Sequence, residues 1–93
     1  MAQTKTIEQD LITAMKKRDS LRVSTLRMIL AALKNEQIAK MRPLSEGEEI
    51  QALQKEVKKR QDAIEWYKQG KRQELVDKET KEAEIVKEYL PLI

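Results

Sequence analysis

Two constellations of side chains could do chemistry here, and both are basic. At 100° per residue, Lys55, Lys59 and Trp66 fall within about 40° of one another on one helical face, and Lys58 lies close by. Lysines beside an exposed aromatic can meet phosphates while the ring stacks on a base or ribose. The bland alternative is a tryptophan buried in a core, with the lysines merely solvating the outside. Lys16, Lys17 and Arg18 form a second basic group, extended by Arg22. Arg27 and Lys34, seven residues apart, make a further polar strip.

Covalent chemistry lacks its usual residues. The 93-residue chain has no histidine and no cysteine, so the common neutral-pH general base, the thiolate nucleophile and the commonest zinc ligands are all missing. Its two glycines, Gly47 and Gly70, are too far apart for a phosphate-cradling loop. Ser24 and Thr25 have no basic partner of the triad kind, and helical hydroxyls bond their own backbone carbonyls. Carboxylate pairs such as Glu48/Glu49 and Glu82/Glu84 have the spacing of ordinary exposed helices. The carboxylates are interleaved with lysines that would compete with a metal ion. No catalytic residue, no metal site and no cofactor is expected, and the chain is not expected to be an enzyme.

The elements that must position these residues are helical. Charged residues make up 38% of the sequence and hydrophobic ones 40%, with only two prolines, a composition that argues against a turn-rich sandwich or barrel. Four helices can be drawn. The first spans about residues 6–17, with Thr4 or Thr6 as cap and an apolar face of Ile7, Leu11, Ala14 and Met15. The second, about 20–41, starts at Asp19 or Ser20 and carries Val23, Leu26, Ile29, Leu30 and Leu33. Met28, Ala31, Ala32 and Ile38 widen its apolar surface, as expected of a helix with neighbours on two sides. Pro43 breaks the pattern, and Ser45 with Glu48 forms a capping box that starts the third helix near Glu46. Gly70 is placed to end it as a left-handed terminator. The fourth helix covers about 72–89 and stops before Pro91.

The third helix has one anomaly. Ile50, Val57 and Ile64 recur every seven residues, as do Leu53, Arg60 and Tyr67. Arg60 alone is charged, and an unpaired buried charge costs several kcal/mol, roughly. Glu79 lies about 40° from Leu75 on the apolar face of the fourth helix and is the expected partner. The alternative is an arginine that curls out to solvent.

Charge is unevenly spread. Residues 1–42 hold nine Lys/Arg against four Asp/Glu, while residues 43–93 hold ten against twelve. The net charge is +3. A basic N-terminal half points weakly to a polyanion. No apolar run approaches the roughly 20 residues that span a bilayer, and no signal peptide is visible, so a cytoplasmic protein that does not enter membranes is expected.

The string from Leu26 to Asn35, the Leu44-Ser45 start of the third helix, Lys58, Arg60 and Tyr67, the run from Gly70 to Glu79, and Tyr89-Leu90-Pro91 together resemble the YqeY-like family. That family is related to the tail of GatB, a subunit of the glutamine-dependent amidotransferase acting on misacylated tRNA. The resemblance implies an all-α fold, here a four-helix bundle-like domain with a long antiparallel helix pair. It also implies a non-catalytic tRNA-binding accessory role. In the amidotransferase the tail contacts tRNA, while amidation occurs elsewhere. The family's label of carbon–nitrogen ligase with glutamine as donor is inherited from that kinship. The partners implied are tRNA or an enzyme of tRNA modification or aminoacylation. Set on the family pattern, residues 1–90 are the N-terminal helical domain and 91–93 begin the hinge, with the second, UBA-like domain absent. Arg27, Lys34, Arg60, Arg72 and Glu79 are the polar positions that match. The alternative role is a helical protein-interaction scaffold, through Met28 and Ile38 or the apolar end Leu92-Ile93.

Overall fold

The computed structural model describes residues 2–91, with side chains from Thr4 onward. Leu92 and Ile93, the apolar end considered above as a docking segment, lie outside the described residues. The chain forms α1 (Ala2–Lys16), α2 (Ser20–Lys40), α3 (Glu46–Gln69) and α4 (Gln73–Lys87). No strand occurs among the described residues, and no helix is long and apolar enough to cross a membrane.

Local signals set most of the boundaries. Asp19 caps α2, its carboxylate accepting the Arg22 amide at 3.1 Å. The capping box of α3 is complete: the Ser45 hydroxyl accepts from the Glu48 amide and the Glu48 carboxylate accepts from the Ser45 amide. At α1 the expected cap fails. The helix starts at Ala2, and the Thr4 hydroxyl and amide both donate to Glu49 on α3, at 2.6 and 3.2 Å.

Three helices end alike. After α1, α2 and α3 the chain passes through one left-handed residue, Arg18, Met41 and Lys71, each with φ of 57°. The next amide in each case, that of Asp19, Arg42 or Arg72, bonds back five residues to Ala14, Gln37 or Tyr67. This is the Schellman closure, which satisfies carbonyls that the helix leaves open. Gly70 is therefore not the left-handed terminator expected of it. It sits at φ −85°, and Lys71 takes the strained position.

α3 packs most extensively on α4. Ile7, Leu26, Ile29, Leu53 and Val86 are fully enclosed at the centre, contributed by all four helices. α1 and α2 form an antiparallel hairpin against this pair. Arg22–Glu88 and Tyr89–Asp10 tie the end of α4 to the hairpin. Met28–Arg60, Glu36–Lys55 and Lys40–Glu48 show α2 running antiparallel to α3.

Candidate nucleic-acid interface

α3 carries the central features because its two faces have opposite tasks. Its inner face places Leu53, Val57 and Arg60 in the core. Its outer face turns Lys55, Lys58, Lys59 and Trp66 to solvent. Trp66 is 73% exposed, so the alternative of a core tryptophan does not hold. Lys55 reaches Glu36 on α2 and Lys59 reaches Glu56, each at 3.8 Å. Both lysines are exposed and both contacts are long, so each pair contributes about 0–1 kcal/mol and leaves the ammonium groups open to a phosphate, while Glu56 itself stays held by Arg60.

Between α2 and α3 lies a groove of about 370 Å³. Met28, Ala31, Ala32 and Ala52 form its apolar part; Lys55, Glu56, Lys59 and Arg60 line the α3 side, and Asn35 and Glu36 face them from α2. The alanines make this space: larger side chains at those positions would close it. The sequence read the alanines of α2 as additional packing surface, but Ala31 is exposed and Met28 is 42% exposed.

Arg60 is only 6% exposed and is paired, as a charge on a packing seam must be. Its partners differ from the one expected. Its Nη1 donates to the Glu56 carboxylate at 2.8 Å and to the Glu56 carbonyl at 3.1 Å, and Nε stands 3.9 Å from Glu82 Oε2. Glu82 replaces Glu79 as the carboxylate from α4, three residues further along the helix. Burial pushes the Glu82 carboxyl above its usual range. The nearby Glu79 charge pushes the same way, while Arg60 opposes. Glu49 and Glu82 are both buried, where their acidic neighbours had made them look like surface residues. The available signal for Glu82 was its place between Ala83, Val86 and Glu79 on the inward side of α4. For Glu49 it was its place four residues before Leu53 and eleven before Arg60, on the inward face of α3.

The second basic group stands elsewhere. Lys16, Lys17 and Arg18 are exposed at the α1–α2 turn and form no ion pair among the described residues. Lys17 faces a separate pocket with Asp10, Asp19, Arg22 and Glu88. That pocket shares no lining residue with the α2–α3 groove, so the two basic groups form two patches. Lys34 and Arg27 are exposed on α2. Among the described residues no group of three or more acidic side chains is arranged to hold a metal ion.

Comparison with known proteins bears on this geometry directly. The family model described as Yqey-like protein matches residues 4–92. The chain belongs to that family. Among curated relatives, the protein named "Altered inheritance of mitochondria protein 41, mitochondrial" from Kluyveromyces lactis is 36% identical over 84 residues, covering 89% of this chain and 45% of the relative. Its namesake in Lachancea thermotolerans is 36% identical over 85 residues, covering 90% of this chain and 46% of the relative. The Saccharomyces cerevisiae (strain YJM789) protein of that name is 33% identical over 85 residues, with 90% and 46% covered. This YqeY-like chain thus spans about half the length of the curated relatives it matches.

These names correct the expectation of a cytoplasmic protein, since the relatives are mitochondrial by name. The physical reason is plain. A basic helical domain packs by the same residues on either side of an organelle membrane, and its composition carries no compartment label.

Proposed function

We propose that this YqeY-like chain is a non-catalytic RNA-binding accessory module that docks on tRNA. The observation that carries the reading is the outer face of α3, where exposed Lys55, Lys59 and Trp66 lie in one stripe on a helix held rigid by its inner face. Lys16, Lys17 and Arg18 supply a second phosphate contact at the α1–α2 turn. Contacts of this kind are directed at phosphates and shape and carry little base readout. The family's kinship with the amidotransferase tail supports an accessory role beside an enzyme that modifies or aminoacylates tRNA. It supplies no catalytic group to this chain.

Titration of the purified chain with tRNA at several salt concentrations tests the reading. If about four or five phosphates are neutralised, log affinity should fall against log salt with a slope of about −3 to −4. Replacing Lys55 and Lys59 by Ala should make that slope shallower by about 1 to 2. Absence of binding at low salt, or binding indifferent to salt, would remove the RNA reading.

A second reading has its own observation. Ile38 and Met41 are both strongly exposed at the end of α2, a small apolar surface available to a protein partner. Self-association or a captured partner lost on Ile38→Lys, with tRNA ignored, would favour a scaffold.

A further inference from the structure

The groove between α2 and α3 contains a buried cation that its surroundings satisfy unevenly. Arg60 Nη1 has two oxygen acceptors from Glu56, at 2.8 and 3.1 Å. Nη2 meets only the thioether sulfur of Met28, at 3.8 Å, and Nε has no hydrogen-bond acceptor. A thioether is a weak acceptor, and a buried guanidinium donor without an oxygen partner is costly. Met28 also lines the groove, so Nη2 and its weak acceptor stand at the wall of an open space.

We propose that this groove seats one unpaired nucleotide of a single-stranded RNA segment, its base on Met28 and the alanines with a carbonyl oxygen on Arg60 Nη2, and its phosphate between Lys55 and Lys59. The inference rests on the RNA reading of α3 and names the part of the RNA that is recognised. Charge divides the groove in this way. Arg60 is already balanced by Glu56 and Glu82, so its spare donor suits a neutral acceptor better than another anion. Lys55 and Lys59 are exposed and only loosely paired, so the phosphate belongs there. Size agrees: a volume of 370 Å³ lies at the small end of ligand pockets, which run from about 300 to 1,000 Å³. A base-paired duplex cannot enter it.

An amphipathic helix fits less well. The groove spans Met28 to Glu36 on α2 and Ala52 to Arg60 on α3, about two turns of each, and a docking helix needs anchors over a longer run. Apolar anchors would also leave Nη2 and the amide of Asn35 without acceptors, whereas a base edge offers both donors and acceptors. Trp66 stands seven residues beyond Lys59 on the same stripe, about 10 Å along the axis, where a neighbouring base can stack.

The test uses the whole chain with an isotope-labelled Met28 methyl group and Arg60 side-chain N–H signals. Uridine 5′-monophosphate should shift both saturably, and inorganic phosphate alone should leave Met28 unmoved. Ala31→Leu, at an exposed helical position that tolerates leucine, should fill the groove and weaken binding of a short oligouridylate about tenfold. The seat is disproved by a Met28 signal silent to the nucleotide or moved equally by phosphate. It is equally disproved by undiminished oligouridylate binding in Ala31→Leu, or by an acidic amphipathic peptide taking the groove while the nucleotide does not. Binding of tRNA, measured in the same buffer, separates the two readings. Bound tRNA with a silent Met28 removes the groove seat and keeps the RNA role, while ignored tRNA with a seated oligouridylate removes tRNA and keeps the seat.

Discussion

Arg60 shows how far single residues could be read. Its heptad position required burial, and burial required a carboxylate; both requirements are visible in one sequence. The choice among Glu56, Glu79 and Glu82 was not, because helical phase is good to a residue or two and α4 has acids on both sides of its seam. Removing the guanidinium leaves buried Glu82 without its cation and Glu56 with only the long contact to Lys59. Arg60→Ala should therefore cost about 3–5 kcal/mol in urea unfolding, against under about 1 for an exposed pair. The partner can be settled by a double-mutant cycle. Arg60→Ala should couple with Glu82→Gln by more than about 1 kcal/mol and with Glu79→Gln by much less. Equal coupling to Glu79 would show that the third-helix arginine reaches the other acid in solution. Trp66 teaches the converse. Its phase placed it opposite the seam, and the structure keeps it there, exposed.

Among the elements, starts were more legible than ends. Ser45 with Glu48, and Asp19, are side-chain signals with a fixed offset, and α2 and α3 begin where those signals put them. The ends are set by backbone closure, which needs one left-handed residue, and here no glycine fills that place. A left-handed non-glycine residue costs about 1–2 kcal/mol. Lys71→Gly should therefore stabilise the α3–α4 turn by about 0.5–1 kcal/mol after the added freedom of the unfolded chain is counted. Gly70→Ala should help by a similar amount, since φ is −85° and a new Cβ would meet its nearest atoms at an ordinary 3.7–3.8 Å. If the glycine were the left-handed residue, both substitutions would destabilise, so thermal melts of the two variants give opposite signs for the two turns. The start of α3 makes a different forecast, in pH. Arg42 above all, and then the Ser45 amide, hold the Glu48 carboxyl well below its usual 4.5. A carboxylate depressed in the folded state contributes stability that is complete above about pH 4.5 and drains away as pH falls toward the folded value. The advantage of the native chain over Glu48→Gln should therefore shrink steadily on acidification from pH 5. An advantage that grew on acidification would mean that Arg42 and Lys40 do not hold the carboxylate in solution.

For the molecule as a whole, the four helices follow from apolar spacing and the long α3–α4 pair from the family resemblance, while the closure of the bundle follows from neither. The contacts that close it join residues distant in the chain. Tyr89 donates to Asp10 at 2.6 Å across 79 residues, and Arg22 forms a two-pronged bond with Glu88 across 66. Tyr89 and Asp10 stand at opposite ends of the chain, and no local rule brings the two together. Burial, then the hydrogen bond to Asp10, drive the Tyr89 phenol above its ordinary range, which favours the protonated, donating form. The clamp is where α4 is fixed to the α1–α2 hairpin, and the basic α1–α2 turn depends on it for its position. Tyr89→Phe keeps the ring in the core and deletes only the donor, leaving the part-buried Asp10 carboxylate without its partner. The expected loss is about 1.5–3 kcal/mol in urea unfolding, the range for a hydrogen bond to a charged group. Most of that loss should vanish in the Asp10→Ala background, because the orphaned carboxylate is then gone. A Tyr89→Phe chain as stable as the parent would mean that the phenol and Asp10 are both hydrated in solution and that apolar packing alone closes the bundle.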